Sequence, residues 1–530
     1  MLLSQSASRK AIHFWIYYIS LCLFVVSFAT SRFGLTASLV LLSLNWIIEG
    51  NFREKFSVFA SNRVAVGFAL IFGLSILGVI WAKDPIFALE ALPHKLPTLL
   101  IPLVLVTSPA LNERQIRRLI LLFISSVLVA SLIGLGIRLI DDPINFREAS
   151  PFVPATNFSI MLILSAFQLP LLVKQITTKR VHLLLALVIS GWFIFFILYL
   201  RSFTGLASLG GVISYILMIT LLRHRSKVLK LSFLAVSLLA LGFGVWLTIY
   251  MYNITHKEIN PDFANLPYKT TYGAYYQHEP SEVLRENGNL VYMFIAQDEL
   301  REAWNKRSSI CFDSLDRNNE PLKHTLYRYM ASKGLTKDRD GLAALSDIEI
   351  EAVEDGYTNY YYLSWPGIYS RVHVLMMGIY MYNNSHDNNP TWSTLTERFE
   401  LWKASWQAFK VRPFTGWGTG HIELAVEYGL IKNNSELIGS NIRSHNQLIS
   451  IFLLSGVVGF ILFISLFAHI IAKAKLYKIF IFNVFLIAFA LNGMVNDPIE
   501  GQMGQSMFVF FTTFYAYFYP KLNPNRIFLY

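Results

Sequence analysis

The chain has 530 residues, 54% of them apolar and 15% aromatic, with a formal charge of +11. That apolar content excludes a pair of ordinary soluble domains, which would carry far more charge. The surplus of Lys and Arg invites a nucleic-acid reading, but 20 of them fall in short loops on one side of the apolar spans described next and six on the other, an asymmetry that sets orientation in a bilayer and leaves no nucleic-acid footprint.

Apolar stretches recur at roughly 11–29, 34–49, 64–82, 89–107, 118–138, 157–173, 183–200, 204–222, 231–250, 447–471, 479–496 and 505–520. A bilayer core takes about 20 helical residues to cross. The pattern therefore predicts an all-α polytopic membrane protein with about 12 transmembrane helices and both termini in the cytoplasm. Three segments follow: an N-terminal membrane domain over 1–250 with about nine spans, a large, mainly helical loop domain over 251–445, and a C-terminal membrane domain over 446–530 with about three. Within 89–107, the charged or polar Glu90, His94 and Lys95 and the prolines Pro93, Pro97 and Pro102 predict a broken helix whose first part lies at the interface. Between 200 and 204 there is no room for an ordinary loop, which places Arg201 at the tip of a tight hairpin.

The long segment 251–444 holds 19 Lys/Arg against 24 Asp/Glu and reads as soluble and mildly acidic. Helical patterns run over 298–307, 321–333 and 346–355. The run YYYLSWPGIYSRVHVLMMGIYMYNN is apolar but interrupted by Pro366, Arg371 and His373. It reads either as a helix along the membrane surface or as one buried within the loop domain. Thr394 and Glu397 make a capping-box spacing at the start of the next helix. Along it Phe399, Trp402, Trp406 and Phe409 recur at helical spacing as a buried stripe, with Arg398 at its edge. Pro413 ends that helix, and Gly416, Gly418 and Gly420 permit a tight turn back toward the membrane. Cys22 and Cys311 are too far apart in this topology to pair.

Arg201 closes an apolar helix, a position that suits an interface anchor, yet it lies on the side with few cations, where a fixed guanidinium can bind phosphate oxygens bidentately. His445 stands just before an apolar helix; it suits a packing or capping role and equally a general base toward a sugar hydroxyl. Asn446 can orient it or a substrate hydroxyl. His278, Glu279 and Glu282 match no zinc spacing, so no metal site is expected. The glycines of GWGTG lack the preceding strand and following Lys-Ser/Thr of a phosphate loop. The aromatic run Phe508–Tyr515 reads as lipid-facing or core.

Four stretches together, YLRSFTG, TERFELWKASWQAFKVRPFTGWGTG, SHNQLISIFLLSGVVGF and NDPIEGQMGQSMFVFF, resemble the bacterial O-antigen ligase and polymerase superfamily, the last of them its Bacteroidetes-type members. The resemblance implies a GT-C-like inner-membrane glycosyltransferase with a large periplasmic loop. It implies an undecaprenyl-diphosphate-linked glycan as donor, lipid A-core as the lead acceptor, and a metal-independent, inverting transfer without a cofactor. It further implies that Arg201 and Arg398 bind the diphosphate, with Lys95 as a further cation, and that His445 deprotonates or positions the acceptor. A loop of about 140 residues over 253–390 departs from a compact ligase and is placed to act as an acceptor platform. Polymerisation and protein O-glycosylation stay open within this class; a transporter or flippase of amphipathic substrates and a membrane scaffold stay open outside it.

Overall fold

Helices make up almost every regular element, as a membrane-crossing chain requires if its backbone groups are to be satisfied within each segment. The computed structural model describes residues 2–141, 149–200, 202–223, 226–363, 368–384 and 390–522. In chain order come α1 (Leu2–Thr30), α2 (Arg32–Glu49), the short α3 (Phe52–Ser61) and α4 (Arg63–Ile80). Next are α5 (Pro85–Ala91) and α6 (Pro97–Thr107), divided by a 3-10 turn at Leu92–Lys95, so the helix breaks where its prolines predict. The series continues with α7 (Glu113–Asp141), α8 (Ala155–Ile176), α9 (Arg180–Tyr199), α10 (Phe203–Arg223) and α11 (Lys227–Thr255). The loop region holds α12 (Gln297–Trp304), α13 (Leu322–Ser332), α14 (Arg339–Ala343), α15 (Asp347–Glu354), α16 (Ile368–Asn384), α17 (Thr394–Val411) and α18 (Ile422–Lys432). The chain closes with α19 (Gln447–Lys473), α20 (Phe480–Gly493) and α21 (Gln502–Tyr517).

Among the described residues, 10 helical segments are long and apolar enough to cross a membrane, α5 and α6 counting as one. The all-α polytopic class is therefore borne out. The eleventh expected span, α20, is shorter because the turn that follows it takes up 494–496, and α21 begins and ends three residues before the 505–520 of the apolar pattern. The chain divides into two compact units: residues 1–220, 401–433 and 438–530 form the first, and residues 221–400 with 434–437 form the second. The ninth span, α11, thus groups with the loop region, and α17 passes from the second unit to the first at Leu401.

At the centre of the first unit lies α21, whose residues from Met503 to Tyr515 are all buried. A helix buried on every side belongs in a core, and the aromatic run Phe508–Tyr515 resolves to core. Phe510 meets Phe24 and Phe28 at 5.5 Å each, Phe511 meets Phe123 at 5.1 Å, and Phe508 meets Phe467 at 4.8 Å. Lipid is as apolar as these side chains, so the gain over a lipid-facing arrangement comes from packing and aromatic pairing, about 0.5–1.5 kcal/mol per pair.

Helix α19 is interrupted at Gly456, whose φ is 62°. The carbonyls of Leu453 and Leu454 accept the N–H groups of Trp417 (2.7 Å) and Gly418 (3.0 Å), and Val457 N–H donates to Pro413 O (2.8 Å). The loop 413–420 supplies the hydrogen bonds that the helix gives up, the condition on which irregular backbone is tolerated inside an apolar span. Gly416, at φ 70°, lies against Leu454 and Gly456, and a Cβ on either Gly416 or Gly456 would strike main chain. Thr419 ties the same loop to α4 through Oγ1 to Ser75 O (2.6 Å). The turn foreseen at GWGTG is thus a splice into a broken helix.

The face of α17 differs from expectation. Leu401, Ala404, Ser405 and Ala408 are buried, whereas Phe399 and Trp406 are more than half exposed. Gly429 of α18 packs on the backbone of Ala404, and such close approach needs small residues, which turns the aromatics away. Trp402, Trp406 and Phe409 instead line an apolar hollow with Ile449, Phe452 and Leu453 of α19. The cap also shifts by one residue: Ser393 Oγ accepts Thr396 N–H and Thr396 Oγ1 accepts Ser393 N–H, each at 3.2 Å. This is the reciprocal geometry expected of Thr394 and Glu397.

In the second unit α16 packs on α11 through Met376 against Leu247 and Met251, with His373 fully buried. One face of α16 is thus buried against α11, itself long and apolar enough to cross a membrane; residues 364–367, including Pro366, lie outside the described residues. The inserted region has its own core of Trp304, Phe312, Leu326, Tyr329, Met330 and Val353. A two-stranded hairpin, β1 (Arg285–Glu286) and β2 (Asn289–Leu290), turns at Asn287-Gly288 with φ of 49° and 93°, as an Asn-Gly turn prefers.

Candidate functional site

The first unit carries a half-open cavity of about 800 Å³, within the range of ligand clefts. Its wall comes from the start of α2 (Arg32), the broken helix (Phe87, Glu90, His94, Lys95), the start of α8 (Thr156, Asn157), the start of α18 (Glu423), Arg443, and the turn 496–504. Asp84 caps α5 by accepting from Ile86 N–H and Phe87 N–H (3.0 and 3.1 Å). The 3-10 turn that follows then carries Lys95 to the cavity.

Glu500 gathers the wall. Its carboxylate accepts from Lys95 Nζ (2.5 Å) and from Gln447 Nε2 (3.2 Å), and its carbonyl accepts from Arg443 Nη1 (3.4 Å). Gln447 returns an acceptor to Ile499 N–H (2.7 Å), and Asn446 Nδ2 donates to Met494 O (3.0 Å). The segment 443–447 is thereby laced to the turn 494–500, and His445 stands inside that lacing with a left-handed φ of 49°. Arg443 Nε pairs with Glu423 Oε1 at 2.6 Å. Burial lowers the Arg443 pKa, but the hydrogen bond to Glu423 and the field of Glu423, Asp497 and Glu500 outweigh it and leave the guanidinium more basic than usual.

Asp497 is the chemically distinctive member. Burial pushes its carboxyl up to about 6, with Arg443 opposing the shift and Glu500 and Glu423 adding to it. Its Oδ2 is buried without a hydrogen-bond partner among the described residues. A carboxyl that ionises near neutrality inside a cleft can accept a proton from a bound hydroxyl.

Of the residues singled out by sequence, Lys95 lines this cavity. Asn446 Oδ1 caps α19, accepting from Leu448 N–H and Ile449 N–H. Arg398 is half-buried on the first turns of α17, donating to Thr394 O (3.3 Å) in the second unit. Arg201 lies outside the described residues. Among those described, no three His, Cys, Asp or Glu side chains converge as metal ligands. Arg443, Glu423, Asp497 and Glu500 are not among the residues that the sequence singles out. A signal for two of them was present: Asp497 and Glu500 are the sole acidic residues after Glu436, and they interrupt an apolar terminal region.

In comparisons with known proteins, the family model described as O-antigen ligase matches residues 361–464. That interval contains α17, the spliced loop, Arg398, Arg443 and His445. No curated protein matches the chain.

Proposed function

We propose, from the premise that residues 361–464 place this chain in the O-antigen ligase superfamily, that it is a bacterial inner-membrane glycosyltransferase moving an undecaprenyl-diphosphate-linked glycan to an acceptor at the periplasmic face. Lipid A-core is the acceptor we favour. In this reading both termini are cytoplasmic and the loop region is periplasmic, following the Lys/Arg asymmetry of the short loops.

In the transfer, an acceptor hydroxyl oxygen forms a bond to the anomeric carbon on the face opposite the diphosphate, inverting it. The carbon–oxygen bond to the diphosphate breaks, its electron pair stays on the leaving oxygen, and the hydroxyl proton passes to a base. Arg201 and Arg398 are assigned to the developing charge on the leaving group, where preorganised donors act most strongly. The observation that carries the reading is Asp497: a carboxyl near neutral pKa with an unfilled oxygen, beside Arg443 and in the cavity. It becomes the leading base, with His445, on the adjoining segment, as the second candidate to take the proton or hold the hydroxyl.

Reconstitution tests this reading. Purified protein in nanodiscs, given a defined undecaprenyl-diphosphate glycan and lipid A-core, is expected to form the linked product at an undiminished rate in excess chelator. Product that forms only from a second copy of the donor would make the chain a polymerase. No transfer to any acceptor would overturn the proposal.

A further inference from the structure

We infer that the carboxylate-bearing wall of the cavity seats the hydroxyl groups of a pyranose, not a phosphate; the inference rests on the glycan-transfer reading above and specifies which part of a substrate the cavity holds. Among the described residues the wall carries three cations, Arg32, Lys95 and Arg443, against four carboxylates, Glu90, Glu423, Asp497 and Glu500. Two of the cations are already engaged, Lys95 by Glu500 and Arg443 by Glu423. A diphosphate entering here would have to displace those carboxylates and then face their repulsion. A polyol requires no such exchange. Its hydroxyls donate to carboxylates and accept from Lys, Arg and amide donors while the ion pairs stay in place.

Three features of the wall favour a sugar over other neutral ligands. Asp497 Oδ2 is buried and lacks a donor, which a hydroxyl supplies. The side chains of Glu90 and Asn157 line the cavity and make no hydrogen bond to another described residue, so they are available to vicinal hydroxyls. Phe87 is half exposed and lines the same cavity; it is steadied by an edge contact with His421 at 5.4 Å between ring centres. An exposed aromatic ring beside hydroxyl acceptors suits a pyranose, whose C–H face stacks on a ring while its rim makes hydrogen bonds. The volume of about 800 Å³ accommodates more than a single sugar ring.

Saturation-transfer NMR on the purified full-length protein in nanodiscs tests this, with dephosphorylated lipopolysaccharide core oligosaccharide as probe and inorganic pyrophosphate as competitor. The oligosaccharide is expected to bind, Glu90→Ala and Phe87→Ala each to weaken it about five-fold, the effect of one lost hydrogen bond or stacking contact, and pyrophosphate to leave it in place. Absence of oligosaccharide binding, displacement by pyrophosphate, or wild-type affinity in both variants overturns the inference. In the transfer assay the same variants are expected to raise KM for the acceptor and not for the donor; a raised donor KM alone also overturns it. A wild type that binds the oligosaccharide as described yet transfers nothing upholds the seat and refutes the transferase.

Discussion

Two of the sites in this molecule that pair an arginine with a carboxylate, one around Arg328 and one around Arg443, end differently. In the inserted region Glu286 is fully buried: Oε1 accepts from Arg328 Nε (2.8 Å) and Oε2 from Asn359 Nδ2 (2.7 Å), while the neighbouring Asn287 Oδ1 meets His373 Nε2 at 2.9 Å. Every carboxylate oxygen there has a partner, and the network joins the hairpin to α13 and α16. In the membrane unit Arg443 is held by Glu423, but Asp497 beside it keeps an unfilled oxygen at a cavity. A closed polar network specifies a fold; a network left open at one atom carries a standing cost that a ligand can relieve. The difference separates the charges that build this protein from those expected to work in it.

The comparison breaks most sharply at its open end. Asp497→Asn is expected to lower transfer by about 10²–10⁴-fold, the usual contribution of a positioned base, with no fall in the thermal midpoint; wild-type turnover would move Asp497 to the structural class. Arg201→Ala, Arg398→Ala and His445→Ala are each expected to lose about 10²–10³-fold while inserting normally, the scale of one lost transition-state donor. Wild-type activity in all three would end their assignment. At the closed end, Arg328→Met strands Glu286 without its cation and is expected to destabilise the inserted region by about 3–5 kcal/mol, read by chemical denaturation, with turnover per folded molecule unchanged.

A pH titration sharpens the contrast further. Burial, and then the charge of Arg328, lowers the His373 pKa to about 4 from its usual 6.5. The unfolded chain therefore takes up this proton first. Stability of the inserted region is full above about pH 6.5 and declines as pH falls toward 4, by about 1–2 kcal/mol between pH 7 and pH 5. Hydrogen exchange of peptides around β1 and α16 should report that decline. Asp497 runs the other way: its raised pKa makes the protonated form the more stable, so its contribution is full below about pH 4 and is lost as pH rises through 6. The smallest effect expected is that of Ser393→Ala, which removes the cap of α17 at a cost of about 1 kcal/mol.

What could be read in advance follows the same division. Spans were legible because a bilayer imposes length and composition on every helix, and the break near Lys95 was legible because proline cannot continue one. The stripe on α17 misled because spacing alone does not say which face packs; Ala404, Ser405 and Ala408 mark a close helix contact, and small residues carry little signal in a hydropathy pattern. Gly456 inside an apolar run gave no hint that α19 stops and restarts, since the bonds that permit it come from residues about 40 positions earlier. Asn287-Gly288 was a readable turn that the helical patterns around it obscured. The cavity was least legible. Lys95, Glu423, Arg443 and Asp497 are spread over some 400 positions of sequence, and whether an oxygen of Asp497 is satisfied depends on all of them at once.

Transfer is expected to require Asp497 to accept a proton in the cavity, and the pH dependence of transfer by purified protein tests this most directly, with wild type and Asp497→Asn compared on a saturating undecaprenyl-diphosphate glycan. Wild-type transfer is predicted to fall off as pH drops through about 6, and the variant to stay near background at every pH. A variant that transfers at the wild-type rate with the same pH profile would contradict the account.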